Sequence, residues 1–236
     1  MARPYLGIPH SGFLLPGALC ASSQASRGPI IIRASGNSTL THNFNSLWCD
    51  ALNERKANGI THFAMAHYDV NPEPWWIDKL LVEMDRVEAD ILSVILPIKD
   101  PRGLTSTGLG PIGCGGVKRL TVREVQLLPI TFSIEHFPIE GFYLAVNTGL
   151  WVARIDGDWP DEFPGFQVKN EIRRDPETGQ FFAGFRPEDW LFSDWAHQQG
   201  LRVCATRVVS SGHWGWAEYK NDFPWGEWDE DLEHRG

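Results

Sequence analysis

The stretch Thr61-His-Phe-Ala-Met-Ala66 runs into His67-Tyr-Asp69-Val-Asn-Pro-Glu-Pro74 and then Trp75-Trp-Ile-Asp-Lys-Leu-Leu81. Its first six residues are short and mostly apolar, the pattern of a buried strand. Residues 72–86 then place Trp76, Ile77, Leu80, Leu81 and Met84 at helical spacing, with Pro74 in the first turn, where a missing N–H is harmless. A further strand is expected over 90–96. Working upstream, residues 5–8 form an apolar run ending in the loop Pro9-His-Ser-Gly12. Residues 29–33 carry three consecutive isoleucines between Gly28 and Gly36, read as a buried strand. A helix starting near Ser38 sets Leu40, Phe44, Leu47, Trp48, Ala51 and Leu52 on one face, and Gly59 stops it. Strand, helix, strand, helix, strand with short links implies an α/β fold with a mostly parallel central sheet covered by helices on both faces. In such sheets ligands bind beyond the carboxyl ends of the strands, near a switch in strand order.

Downstream the pattern changes. Residues 99–116 are rich in Gly, Pro, Ser and Thr, and read as a long loop of the kind that serves as a lid. Residues 117–132 alternate enough to be strands. An apolar run follows Gly141 through Val152, and Asp175-Pro-Glu-Thr-Gly179 is a turn joining two extended pieces. Together these add a small antiparallel β region. Pro187 opens a last helix over 188–199, closed by Gly200, and a strand is expected over 201–206. The acidic tail is peripheral. The organisation is a single domain, 1–236, with a nucleotide-binding half over 1–98, an acceptor and metal half over 99–216, and the tail over 217–236.

The 236 residues suffice for a sizeable core, and their net charge of -9 repels a nucleic-acid backbone at long range. Small phosphorylated ligands stay open, because a metal ion neutralises phosphate locally. The 11 tryptophans suit sugar-facing surfaces, although core anchoring is their commoner use. Cys20, Cys49, Cys114 and Cys204 are scattered and form no CxxC pair, which favours a reducing cytoplasm. No apolar run reaches the roughly 20 residues of a membrane span. Residues 6–20, broken by Pro9, His10, Ser11 and Pro16, read as strand, loop and helix, not as a signal peptide.

Three elements could carry chemistry. Asp69, at a strand's carboxyl end, projects into the ligand crevice and could hold a divalent cation, or it could simply cap the following helix. Glu188 and Asp189 occupy the first turn of the late helix, where the dipole is expected to keep Asp189 ionised and able to act as a general base; acids there are also routine helix stabilisers. His213, in Ser210-Ser-Gly-His-Trp-Gly215, is expected on a flexible loop, and its imidazole suits Mn²⁺ better than Mg²⁺.

Taken in order, these motifs resemble glycosyltransferases of the GT-A fold, most nearly the inverting family-2-like enzymes of bacteria and phages. The resemblance rests on Phe63 through Leu81, on Asn147-Thr-Gly-Leu-Trp-Val-Ala153, on Glu188-Asp189 and on Gly212-His213, and spans residues 5–216. It implies a nucleoside-diphosphate sugar, UDP- or GDP-linked, as donor and an acceptor hydroxyl of unspecified identity. It implies that Asp69 and His213 hold Mn²⁺ or Mg²⁺, and that Asp189, with Glu188 beside it, deprotonates the acceptor. Pro9, Ser11, Asn37, Ser38, His67, Tyr68 and Asn71 fall where the family holds the nucleotide. Asn147, Thr148, Gly149 and Trp214 fall by the donor sugar and acceptor, and 99–116 would be the lid. His67 replaces the first acid of the family's Asp-x-Asp motif. Two other classes stay open: a sugar nucleotidyltransferase, although the first loop has no Lys or Arg to grip a triphosphate, and a non-catalytic carbohydrate-binding protein.

Overall fold

The structure is a computed structural model and describes residues 2–10, 16–113, 116–215 and 217–226. The first part of the chain forms β1 (Pro4–His10), α1 (Pro16–Ser23), β2 (Ile31–Gly36), α2 (Leu40–Asn58), β3 (His62–Ala66), β4 (Val70–Pro72), α3 (Trp76–Val87) and β5 (Ile91–Val94). The middle forms β6 (Leu104–Pro111), β7 (Lys118–Thr121), α4 (Val122–Leu127), β8 (Thr131–Ser133), β9 (Phe142–Ala145) and β10 (Leu150–Arg154). The last part forms α5 (Trp159–Glu162), β11 (Lys169–Arg174), β12 (Phe181–Arg186), α6 (Glu188–Gln198), β13 (Val203–Thr206), β14 (Ser211–Trp214) and β15 (Glu218–Lys220).

The central sheet has 7 strands in the order β2-β1-β3-β10-β5-β13-β8. β2, β1, β3, β5 and β13 run in one direction; β10 and the edge strand β8 oppose them. After β1 the chain places β2 on one side and β3 on the other, so the order switches beside β1 and opens a crevice at the carboxyl ends of these strands. Antiparallel β10 begins there, with Leu150 opposite Ala66, which delivers residues 147–149 to the same edge.

Strand alternation divides the core. Tyr5, Phe63, Met65 and Trp151 point to one face, where they meet Phe44, Leu47 and Trp48 of α2 and Phe192 of α6. Leu6, Ala64, Ala66 and Val152 point to the other, against Trp76, Ile77, Leu80 and Met84 of α3. The first face is a web of aromatic rings: Trp48 meets Phe63 edge-on at 5.0 Å between centroids, and Trp151 meets Phe192 at 5.1 Å. Trp48, Trp76 and Trp151 are thus core anchors, whereas Trp75 and Trp214 are exposed. Gly59 and Gly200 terminate α2 and the turn after α6 with φ of 64° and 72°, the left-handed backbone that glycine adopts freely.

Several elements depart from the sequence reading. The strand expected over 29–33 is β2, Ile31–Gly36, and it is an edge strand and not a buried one, because among the described residues it pairs with β1 alone. Residues 99–116 are not a featureless lid: β6 is the middle strand of a three-stranded antiparallel sheet, β7-β6-β9. Its glycines permit close packing, since a Cβ on Gly110 would lie 2.6 Å from the Tyr143 ring. Residues 117–132 are interrupted by α4, which is started by a reciprocal capping box between Thr121 and Glu124. Pro74 lies before α3, not in its first turn, because residues 70–72 pair as β4. His213 lies in β14, not on a flexible loop, and β14 joins β4 and β15 in a small sheet. No described helix is long and apolar enough to cross a membrane. The start of the tail is not peripheral, because Glu218–Lys220 pairs with β14 and Asn221 is buried; residues 227–236 lie outside the described residues.

Candidate active site

The antiparallel pairing of β4 with β14 builds the centre of the site. It sets His213 opposite Val70, and Trp214 N–H donates to the Asp69 carbonyl at 2.8 Å. Asp69 and His213, distant in sequence, are therefore neighbours, with His213 Nε2 3.7 Å from Asp69 Oδ2. The other ring nitrogen, Nδ1, lies 2.7 Å from the Pro97 carbonyl, which can only accept, so Nδ1 carries a proton. In the neutral ring Nε2 then faces the carboxylate with a lone pair. Two such electron-rich atoms are stable together only around a cation or a shared proton.

Lys99, immediately beyond the segment that follows β5, supplies one cation: its Nζ is 2.5 Å from Asp69 Oδ2. Burial by itself would raise the Asp69 pKa. The hydrogen bonding and charge of His213, reinforced by the hydrogen bond from Lys99, reverse this and hold the carboxyl well below the usual range. Asp69 is ionised, and its Oδ1 is enclosed without a hydrogen-bond partner among the described residues. An enclosed, unpaired carboxylate oxygen beside an oriented imidazole is a donor set that suits Mn²⁺ or Mg²⁺. Among the described residues no third His, Cys, Asp or Glu completes a cluster. Phosphate oxygens and water would supply the remaining ligands, as is usual for Mg²⁺-type sites.

His67 packs on Phe44 at 5.0 Å between ring centroids, and burial pulls its imidazole down to about 4, so it is neutral at pH 7. Its backbone N–H donates to the Gly149 carbonyl at 2.8 Å, and its Nε2 is enclosed without a partner among the described residues. Gly149 is tightly packed, because a Cβ there would lie 2.9 Å from a Leu96 methyl, which would have to move. Asn147 holds this corner: its Oδ1 accepts from Gly149 N at 2.9 Å and Leu150 N at 3.1 Å, and its amide donates to the Val94 carbonyl. Asn147 is thus committed to shaping the turn. Thr148 is buried and donates to Glu188 Oε1 at 3.4 Å. This contact brings the start of α6 to the strand edge that carries Asp69.

Asp189 differs from the sequence expectation. The helix start does not hold it low: burial first, then the adjacent Glu188 carboxylate, push it up to about 7, against the opposing pull of Arg119. Burial raises Glu188 as well. Trp190 N–H donates to Asp189 Oδ1 at 2.8 Å. The result is a carboxyl whose protonation changes near neutrality, the property wanted in a general base.

The remaining residues are more dispersed. Pro9 lies inside β1, not in a loop after it, and Ser11 lies outside the described residues. Asn37 and Ser38 lie between β2 and α2, at the switch in strand order; Asn37 Oδ1 accepts from Thr39 N at 2.9 Å. Asn43, fully buried on α2, donates to the carbonyls of His10 at 3.1 Å and Asn37 at 2.9 Å, tying the ends of β1 and β2 together. Tyr68 is partly exposed beside Asp69, Asn71 sits within β4 at 3.5 Å from Glu218, and Trp214 is exposed at the end of β14. Sequence reasoning missed Lys99 and Arg119. The one signal for Lys99 was its place just after the carboxyl end of β5; Arg119 carried none.

No family model matches the chain, and no curated protein matches it. Among solved structures 38 chains match. One is the crystal structure of A197 from STIV, which is 11% identical with a TM-score of 0.52, over 90% of this chain and 86% of that one. The likeness is one of fold: a mixed α/β arrangement around a large, mostly parallel sheet.

Proposed function

We propose that this protein is a metal-dependent glycosyltransferase that moves a sugar from a nucleoside-diphosphate sugar to an acceptor hydroxyl with inversion. The observation that carries the reading is the juxtaposition of ionised Asp69 and oriented His213 at the carboxyl-end crevice, with α6 joined to the same edge through Thr148. The switch in strand order beside β1 offers the nucleotide a place next to them.

In this mechanism Asp69 and His213 Nε2 would hold a divalent cation, whose chemistry is to neutralise charge on a departing diphosphate. Asp189 accepts the proton of the acceptor hydroxyl as its oxygen attacks the anomeric carbon, and the bond to the diphosphate oxygen breaks from the opposite face. Being near 7, Asp189 is substantially ionised at neutral pH and basic enough to take that proton. Lys99 adds positive charge beside Asp69.

Incubation with Mn²⁺ and a panel of UDP- and GDP-sugars tests the reading. Release of nucleoside diphosphate that needs both Asp69 and His213 is the expected result. Pyrophosphate chemistry would instead assign a nucleotidyltransferase. Sugar binding without turnover would assign a non-catalytic carbohydrate-binding protein.

A further inference from the structure

A cavity of about 480 Å³ lies between the β11–β12 hairpin, the start of α6 and β7. Arg102, Arg119, Arg173 and Arg186 line it, and among the described residues no carboxylate does. That is unexpected in a chain with a net charge of -9. Three of these arginines are neutralised from behind: Arg102 by Asp100, Arg173 by Glu171 and Arg186 by Asp194. Arg119 has no ion pair among the described residues. Its Nη1 donates to the Thr105 carbonyl at 3.2 Å, and its guanidinium stacks 5.3 Å above the Trp190 ring, which also lines the cavity. Arg186 is buried, and its Nε has no acceptor among the described residues. Phe182 adds an apolar wall.

Asp189 is not in the wall of the cavity, but its chain neighbour Trp190 is, and so is Arg119, whose charge acts on the Asp189 carboxylate. Asp189 and Asp100 act on Arg119 through their charge without a direct ion pair, so this half-buried guanidinium still gains from a ligand that brings a negative charge into contact with it. Planar guanidinium groups fit carboxylate and phosphate oxygens in pairs, while aromatic faces such as Trp190 and Phe182 take the C–H surface of a sugar ring. We infer that this cavity holds the acceptor, and that the acceptor is a sugar bearing an oxyanion, which Arg119 pairs while Trp190 positions the ring toward Asp189. This rests on the glycosyltransferase reading and specifies its acceptor.

Calorimetric titration of the full chain with glucose, glucose 6-phosphate and glucuronate tests it, using wild type, Arg119→Gln and Phe182→Glu. Phe182 faces Arg173 across the hairpin and is half exposed, so a glutamate there neutralises the cavity without disturbing a core contact. The expected result is that at least one anionic sugar binds tenfold or more tightly than glucose, and that both variants abolish the difference. The stronger of the two anionic sugars tells phosphate from carboxylate. Equal binding of all three sugars, or an anionic preference that survives in Phe182→Glu, overturns the inference even if Arg119→Gln fails to fold. Mn²⁺-dependent release of nucleoside diphosphate, measured on the same samples, separates the two readings. Turnover without anionic preference sinks only the acceptor assignment, whereas anionic preference without turnover for any donor sinks the enzymatic reading and the word acceptor with it.

Discussion

Lys99 Nζ sits 2.5 Å from Asp69 Oδ2, on the carboxylate that also faces His213. A divalent cation held by Asp69 and His213 would share this carboxylate with the lysine, so the two positive charges compete for it. In Lys99→Met the metal-free protein keeps a buried, ionised Asp69 with His213 as its nearest partner. Because Lys99 is itself partly exposed, the expected loss is modest, about 1–2 kcal/mol. Saturating Mn²⁺ should then raise the melting temperature of the variant more than that of wild type. Equal shifts in the two proteins would mean that lysine and metal do not share the site.

The position of Asp189 near neutrality gives a pH signature. A carboxyl whose folded pKa is raised to about 7 binds a proton more tightly in the folded chain than in the unfolded one. Its contribution to stability is therefore full below the ordinary carboxylate pKa, near 4, and is lost as pH rises through about 7. Catalysis runs the other way, since only the ionised form accepts a proton: transfer should rise with pH through about 7 and then level off. Asp189→Asn should lose about 100-fold or more in transfer rate and flatten the fall in melting temperature between pH 5 and pH 8. Near wild-type transfer in this variant would remove Asp189 from the chemistry.

What could be read from the residues alone was the part governed by local periodicity. Phe63, Met65 and Trp76 to Met84 announced β3 and α3, and Gly59 and Gly200 marked real helix ends. The parallel core of the sheet followed from that alternation. The antiparallel insertion of β10 did not, because it depends on how the Asn147–Gly149 corner packs against β5. Three-residue β4 and glycine-flanked β14 have no strand signal of their own; each exists because the other pairs with it. The same pairing brings His213 to Asp69, which motif order suggested and only tertiary structure could deliver. The pKa of Asp189 was misjudged because the helix dipole is local, whereas the burial that outweighs it is contributed by remote segments.

Gly108 shows how a residue that resembles a loop signal can instead be a packing requirement. A Cβ there would strike the Lys118 carbonyl oxygen and lie 2.9 Å from Arg119 Cα, both in the neighbouring strand β7. Backbone cannot swing aside as a flexible side chain can. Gly108→Ala should therefore pry β6 from β7 and destabilise the protein by about 2 kcal/mol, read by chemical denaturation. The same opening displaces Arg119, so preference for an anionic sugar should weaken in parallel with stability. A variant as stable as wild type would show that the strands separate without strain.

His213→Ala isolates the proposed metal ligand from the scaffold that carries it. β14 is held to β4 by backbone hydrogen bonds, among them Trp214 N–H to the Asp69 carbonyl at 2.8 Å, and none of these needs the imidazole. The ring itself is partly exposed and is anchored through Nδ1 to Pro97. Its removal should leave the fold intact, with a melting temperature within a few degrees of wild type. Affinity for Mn²⁺ in the presence of nucleoside diphosphate, followed by calorimetry, should fall at least tenfold, since one of the two proposed protein ligands is gone. Asp69→Asn removes the charged ligand and should weaken Mn²⁺ further, while Lys99 loses its partner. If Mn²⁺ binds His213→Ala as it binds wild type, the imidazole is an ion-pair partner of Asp69 and not a ligand.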